Sequence, residues 1–379
     1  MIDPSAAVAA FREASGHPPG GVWMSPGRVN LIGDHTDYNE GLALPAAIDR
    51  FAVVAAGLRH DGRVRCLSLQ RPSEVAIALD DIAPAGALGW AAPLLGVVWA
   101  LRRTGVAIPG VDLVVDSEIP LGGGLASSAA LEVATVLALT ELTGQPLTVD
   151  DMARCCQQGE STIAGAPIGV MDQLAVLAGR AGHAVFLDCR SLDRELIAFQ
   201  PDSAGSALLV IDTGVVHSTG GAGYRARREQ AADAASALGV HSLRDATLDA
   251  VDLGLHGVLR RRARHVLTEN DRVRRCVELL RHDDVPAIGG LLEESHASLR
   301  DDHQVSSAEL DVAVEAARAA GAWGARMTGA GFGGCAIALV PDDACTAVAE
   351  AVGAAFARHR YGVPRVFTVA TADGARRCD

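Results

Sequence analysis

The chain contains no lysine: all 33 of its Lys-plus-Arg cations are arginine. That absence removes several mechanisms at once. A P-loop sets a lysine on the phosphates, protein kinases need a strand lysine, and Schiff-base and pyridoxal enzymes need an amine. Cysteine is present but unpatterned. Its eight copies, at 66, 155, 156, 189, 276, 335, 345 and 378, include no C-x-x-C pair, and the twelve histidines show no H-E-x-x-H spacing. Neither a disulfide framework nor a zinc site is indicated, and the thiols read as reduced, in a cytoplasmic protein. No apolar run approaches the roughly 18 residues of a membrane span, and the N-terminus lacks a basic-then-apolar secretion signal.

What is present suits a packed core. The 379 residues are 49% hydrophobic and 21% charged, enough for two α/β domains sharing a cleft or for one large domain. A net charge of -13 argues against nucleic acid, whose phosphates need clustered cations. It leaves room for a small anion held by a local positive site.

Periodicity and turn chemistry predict the elements. A short helix is expected over 5–14, strands on both sides of the polar turn "DHTDYNEG", and further strands at "AVVAAGL", "VRCLSL" and "VDLVVDS". A helix is expected over 90–103. Another runs from Ser128 to about Gly144-Gln145-Pro146, with Ala130, Val133, Ala134, Leu137 and Ala138 as one apolar stripe. Thr148 and Asp151 form a capping pattern that opens a helix carrying Glu160. The strands "GHAVFLDC" and "ALLVIDTG" suggest a new sheet beginning near residue 180. A charged helical region over 224–320, the strand "CAIALV", an alanine-rich helix and a last strand "PRVFTVA" complete the chain. There is no internal repeat and no low-complexity linker, so any two domains should pack closely.

Three stretches carry chemistry. In "IPLGGGLASSAALEVA" the bare backbone of Gly122, Gly123 and Gly124 can approach a ligand, and the next helix adds its N-terminal amides and dipole. Ser127 and Ser128 can cap that helix, bind phosphate oxygens or ligate Mg²⁺; a plain strand-to-helix turn is the alternative. Gly122-x-Gly124-x-x-Ser127 also nearly matches the dinucleotide fingerprint, and Gly329-x-Gly331-x-x-Gly334 matches it fully but precedes a strand. A nicotinamide-dependent dehydrogenase is therefore one rival. In "SPGRVNLIGDHTDYNEG", Arg28, Asp34, His35 and Asp37 fall within ten residues. Such a set suits a polyhydroxylated ligand, since a site built to bond each hydroxyl rejects an analogue lacking one by ~10⁴. In "GAPIGVMDQLAV", Asp172 lies inside an apolar run, costly to bury unless paired or functional. It is either a helix-start cap or, beside Arg28, an ionised acid able to orient a hydroxyl nucleophile and accept its proton.

Together "GRVNLIGDHTDYNEG", "PLGGGLASSAALEVA" and "TGAGFGGCAIALV" resemble the three signature segments of the GHMP small-molecule kinases, and the first, with "GVMDQ", resembles the galactokinase branch. The resemblance implies a two-domain α/β GHMP kinase fold, divided as 1–178 and 179–379, with the active site in the interdomain cleft and a left-handed β-α-β crossover in the N-terminal half. It implies ATP and Mg²⁺ as cofactors and galactose as substrate, phosphorylated at its C1 hydroxyl, in a cytoplasmic monomer or weak dimer without nucleic acid or membrane. By position, Asp172 would be the catalytic carboxylate with Arg28 beside it. Asp34, His35, Asp37, Gly169 and Tyr224 would contact the sugar. Gly122, Gly123, Gly124, Leu125, Ala126 and Ser127 would wrap the phosphates, Ser128 and Glu160 would hold Mg²⁺, residues 329–334 would wall the nucleotide side, and Trp90 would lie against the adenine.

Simpler roles stand beside these: Tyr224 as the anchor of a solvated helix, Trp90 as a core aromatic. Glu160 has no partner near it in sequence, which points toward function. Two positions depart from the pattern. Asp34 stands where a glutamate is usual, which predicts an altered or water-mediated contact to the distal sugar hydroxyl. Pro93 stands where an aromatic commonly follows the tryptophan. A kinase for N-acetylgalactosamine or arabinose, and a non-catalytic galactose sensor on the same scaffold, are the other readings; sensors have a shortened glycine–serine loop, and "GGGLASSAA" is complete.

Overall fold

The structure, a computed structural model, describes residues 2–84, 86, 88–120, 122–215 and 221–378. Its spine is the strand Pro45–Leu58, paired on one side with Gly21–Asn30 and on the other with Val111–Ser117. Arg63–Ser68, Arg71–Ala78 and the C-terminal Arg376–Arg377 complete a six-stranded sheet. The pairing is antiparallel except between Arg63–Ser68 and Val111–Ser117. A doubly wound dinucleotide-binding sheet is mostly parallel, so the fold itself removes the dehydrogenase rival.

Side chains alternate across this sheet, and both faces are covered. Trp23, Ala52, Val54 and Ala56 join one core with the helices Ala92–Arg103 and Ser127–Leu142, while Val22, Met24, Val53 and Ala55 pack under the helix Ser5–Ser15 through Ala7 and Phe11. The helix Ser127–Leu142 lies between the sheet and the helices Ala92–Arg103, Val149–Gly159 and Met171–Ala178. It is therefore buried nearly all round, Glu132 and Thr135 included, and not along the single stripe that its sequence predicts. Small side chains make that close enclosure possible.

Thr148 caps the helix Val149–Gly159 as expected, its hydroxyl accepting from the Asp151 amide at 3.1 Å. The helix stops one residue short of Glu160, which instead opens a π turn, Glu160–Ala164, closed by Gly165 at φ 73°. Such wide turns recur at functional sites because they re-aim a side chain.

Downstream, Gly324–Thr328, Cys335–Pro341, Ser206–Asp212 and Arg365–Val369 form an antiparallel four-stranded sheet. The sheet expected from residue 180 is a separate three-stranded one, in which His183–Asp188 joins Arg194–Ala198 to Leu42–Ala43. The charged region resolves into several helices, of which Gly257–Arg281 is the longest.

Candidate active site

A cleft of about 370 Å³ opens where the three motif segments meet. The strand Gly21–Asn30 brings Arg28 to its floor, buried to 3% exposure. Its Nε donates to Asp172 Oδ1 at 2.8 Å and its Nη2 to Oδ2 at 2.6 Å, a two-pronged pairing that fixes the carboxylate's plane. Asp172 sits in the first turn of the helix Met171–Ala178. Arg28 Nη1 donates to the carbonyl of Gly124, and its backbone amide donates to Leu125 O at 3.1 Å. One arginine thus ties the acid to the glycine loop.

That loop reaches the cleft through Gly122, Gly124, Ala126, Ser127 and Ser128. Gly122 and Gly124 take φ of 68° and 76°, and Ala126 is held at φ 59° as the N-cap residue. Left-handed backbone at a non-glycine costs about 1–3 kcal/mol and is held by its surroundings at functional sites. Gly123 and Leu125 stand off the cleft: a β-carbon on Gly123 would meet Cys335 Sγ at 3.4 Å, and Leu125 is wholly buried in the core. Gly329 abuts the loop, where a β-carbon would lie 2.8 Å from Gly124 O, and Gly329 and Ala330 line the cleft beside it. Trp90 and Pro93 line it too; the indole N–H of Trp90 donates to Ser73 O at 3.0 Å.

The polar turn forms the opposite wall. Asp34, His35 and Asp37 all face the cleft, as do Gly169 and Tyr224. His35 Nε2 lies 3.2 Å from the Ala330 carbonyl, which can only accept, so Nε2 carries the proton. Nδ1 then accepts from the Tyr38 hydroxyl at 3.0 Å, and Tyr38 accepts from His303 Nε2 at 3.1 Å. Burial pushes His35 down to about 3, helped by the neighbouring His265, so the ring is neutral. Burial and the charge of Asp172 raise Asp37 to about 6. Gly169 has to be glycine, since a β-carbon there would lie 1.9 Å from Asp37 Oδ2. Tyr224, buried at the start of the helix Ala222–Ala237, packs tilted against the His35 ring and edge-on to Tyr38, and does not anchor a solvated face.

Asp34 is less available than its position in the motif implies. Its Oδ2 accepts from Arg326 Nη2 at 2.5 Å and its Oδ1 from the Gly329 amide at 3.1 Å. Burial raises its pKa, opposed by Arg326 and Arg28.

Ser128 and Glu160 also meet, the hydroxyl donating to Glu160 Oε1 at 2.8 Å. The partners of Glu160 are distant in sequence, as its local surroundings implied: Gln173 Nε2 donates to its Oε2 at 3.2 Å and to Glu132 Oε2 at 3.0 Å. Burial pushes both carboxyls up. Among the described residues, no group of three or more His, Cys, Asp or Glu is arranged to hold a metal ion. A cation here would take most of its ligands from elsewhere. Among the described residues lining the cleft, Arg28 is the one cation facing four carboxylates, Asp34, Asp37, Glu160 and Asp172.

Known proteins carry the same segments. Residues 9–58 match the galactokinase galactose-binding signature, 93–180 the GHMP kinases N terminal domain and 276–358 the GHMP kinases C terminal. The galactokinase of Streptomyces coelicolor is 47% identical over 373 residues, which cover 97% of this chain and 96% of that protein. The chain belongs to the galactokinase family of GHMP kinases. The Bos taurus galactokinase is 40% identical, over 97% of this chain and 94% of its own. The crystal structure of Lactococcus lactis galactokinase complexed with galactose superposes with a TM-score of 0.93 at 31% identity, covering 99% of both chains. Methanococcus jannaschii mevalonate kinase, at 16% identity and a TM-score of 0.66 over 93% and 98% of the two chains, shares the fold alone.

Within this galactokinase-family site, several residues escaped the sequence. Tyr38 and Gln173 lie inside quoted motifs, but nothing local assigns them a task. Glu132 is an acid in an apolar helix, the same signal that singled out Asp172, and could have been found by it. Arg228, one turn beyond Tyr224, donates to Pro167 O at 2.6 Å and so holds the loop that presents Gly169. Arg326, Glu269 and His303 come from distant segments, and no spacing rule reaches them.

Proposed function

We propose that this chain transfers the γ-phosphoryl group of ATP to the C1 hydroxyl of α-D-galactose. The observation that carries the reading is the Asp172–Arg28 pair, set between the polar turn and the glycine loop. Asp34, His35, Asp37, Gly169 and Tyr224 hold the sugar; both ring nitrogens of neutral His35 are engaged by Tyr38 and Ala330, so it offers its ring face. Asp172 orients the C1 hydroxyl and accepts its proton as the oxygen attacks. Arg28 keeps that carboxylate in place and offers positive charge to the moving phosphoryl group. The backbone from Gly122 to Ser127 surrounds the polyphosphate, with Trp90 toward the base. Phosphoryl transfer asks chiefly for such positioning and charge stabilisation.

Ser128 and Glu160 would hold Mg²⁺. Two hard oxygen donors fit an ion that keeps its remaining sites for phosphate and water, and a second buried acid, Glu132, has one oxygen without a protein partner close by. Bound there, the ion supplies the countercharge that a lysine gives in other kinases.

The division into lobes 1–178 and 179–379 is supported by the separate sheets, although Leu42–Ala43 and Arg376–Arg377 each cross to pair with the other half. Unbridged thiols from Cys66 to Cys345 fit a reducing cytoplasm, and among the described residues no helix is long and apolar enough to cross a membrane. We read the chain as a monomer or weak dimer. A related sugar, such as N-acetylgalactosamine or arabinose, is the second reading, favoured by the engagement of both Asp34 oxygens.

Coupled ADP release across a panel of free sugars tests both. Galactose should give the highest kcat/KM; a different best sugar, or none, overturns the first reading. Asp172→Asn should fold, at a lowered Tm because buried Arg28 loses its charged partner, and lose about 10²–10⁴ in kcat. Turnover at the wild-type rate would remove Asp172 from the chemistry.

A further inference from the structure

From the cleft wall inward runs a line of four polar side chains, Ser128, Glu160, Gln173 and Glu132, of which the first two line the cleft and the last two are wholly buried. Gln173 is its centre. Its amide nitrogen reaches Glu132 Oε2 at 3.0 Å and Glu160 Oε2 at 3.2 Å. With the amide nitrogen on this side, each of its N–H groups has a carboxyl oxygen as acceptor. Each of the two N–H bonds then serves one acid. Glu160 is held from behind through Oε2, leaving Oε1 on the cleft side with Ser128. Nothing near in sequence could do this: Glu160 is on a π turn, free of the regular helix that precedes it.

The neighbouring residue in the chain is Asp172. Successive side chains on a helix diverge by about 100°, so the first turn of Met171–Ala178 presents Asp172 to Arg28 and Gln173 to the two glutamates. Glu132, fixed within the enclosed helix Ser127–Leu142, is the immobile end of the line.

We propose that Gln173, anchored by Glu132, is a positioning residue that holds Glu160 at the angle needed to bind Mg²⁺. The inference rests on the reading of Ser128 and Glu160 as metal ligands. Groups behind a metal ligand commonly govern metal affinity by 10–100-fold, because they orient the donor atom.

Isothermal titration with a nonhydrolysable ATP analogue, with and without Mg²⁺, gives a readout separate from turnover. Gln173→Met, of similar length but without a donor, should weaken the Mg²⁺-dependent part of nucleotide affinity about tenfold. Galactose affinity and Mg²⁺-free nucleotide affinity should stay within about twofold, and excess Mg²⁺ should restore much of kcat/KM for ATP. Should that variant misfold, Glu132 carries the test. Glu132→Gln keeps an acceptor for the Gln173 amide and should preserve the Mg²⁺ dependence, whereas Glu132→Met should lose it about tenfold. Glu160→Gln, run in parallel, separates the two levels. If it leaves Mg²⁺-dependent affinity intact, the metal assignment itself fails. If it abolishes that affinity while Gln173→Met and Glu132→Met match the wild type, the positioning role is overturned.

Discussion

Asp37 sits where burial and a second carboxylate act in the same direction. Desolvation first, then repulsion by Asp172, lifts it to about 6, with Asp34 adding to the rise and the Tyr38 amide and Arg228 opposing it. The sign matters in two opposite ways. Because the folded value lies above the unfolded one, the stability this group contributes is full below about pH 4 and is lost as pH rises through 6. A sugar hydroxyl, however, wants the charged acceptor, present above 6. At saturating Mg²⁺ and ATP, kcat/KM for galactose should therefore fall below about pH 6, by about tenfold per unit. Asp37→Asn should lower the plateau and erase this acidic limb; an unchanged limb in the variant would assign it to another group. Residues such as Asp37 were legible because they share one short segment with Arg28, Asp34 and His35. Tyr224 was reached only through the family resemblance, and Arg228 not at all, since both are brought alongside by the folding of a helix nearly two hundred residues downstream.

At the scale of elements, strands and helices followed from periodicity, while the details that aim side chains did not. The helix expected to carry Glu160 exists, yet it yields to a π turn at that residue. A tertiary contact adjoins the change. The helices Ala92–Arg103 and Val149–Gly159 cross with backbone against backbone at Gly96 and Gly159, where a β-carbon on Gly96 would lie 2.8 Å from the Gly159 carbonyl. In sequence, each glycine reads as a weak spot in a helix; in the fold each is the contact. Gly96→Ala must push the helices apart next to Glu160. Overpacking of this kind costs about 1–3 kcal/mol, read as a lower urea midpoint at unchanged m. The same variant should weaken Mg²⁺-dependent nucleotide binding and leave galactose binding alone. A stable variant with normal metal dependence would show that the crossing has slack.

Across the whole molecule, the polar turn is built by the N-terminal half but gripped by the C-terminal half. Arg326, fully buried on Gly324–Thr328, donates to Asn30 O at 3.0 Å, to Leu31 O at 2.9 Å and to Asp34. Glu269, on Gly257–Arg281, accepts from the Gly33 amide at 2.9 Å and from Ser295 at 2.6 Å. Burial alone would raise Glu269, but Arg272, then His265 and Arg326, hold it down to about 2. Asp34 was recognisable inside a motif, but Arg326 falls two residues before the quoted glycine segment, and nothing in the spacing said that residues 34 and 326 touch. The arrangement also accounts for Asp34: its short carboxylate is drawn toward the glycine segment at 329 and away from full exposure to the sugar. Arg326→Met leaves the buried Asp34 carboxylate without its paired cation, while Glu269 keeps Arg272, and should cost about 3–5 kcal/mol of stability, enough to threaten folding. Arg326→Lys keeps the charge but loses the planar fork that serves three acceptors. In that milder variant the polar turn should loosen while the glycine loop, tied down by Arg28, stays in place. The expected signature is a rise in galactose KM of about tenfold, on the order of one lost charge-assisted hydrogen bond, with ATP KM within about twofold. Equal increases in both constants would mean that Arg326 supports the cleft as a whole and not the sugar wall in particular.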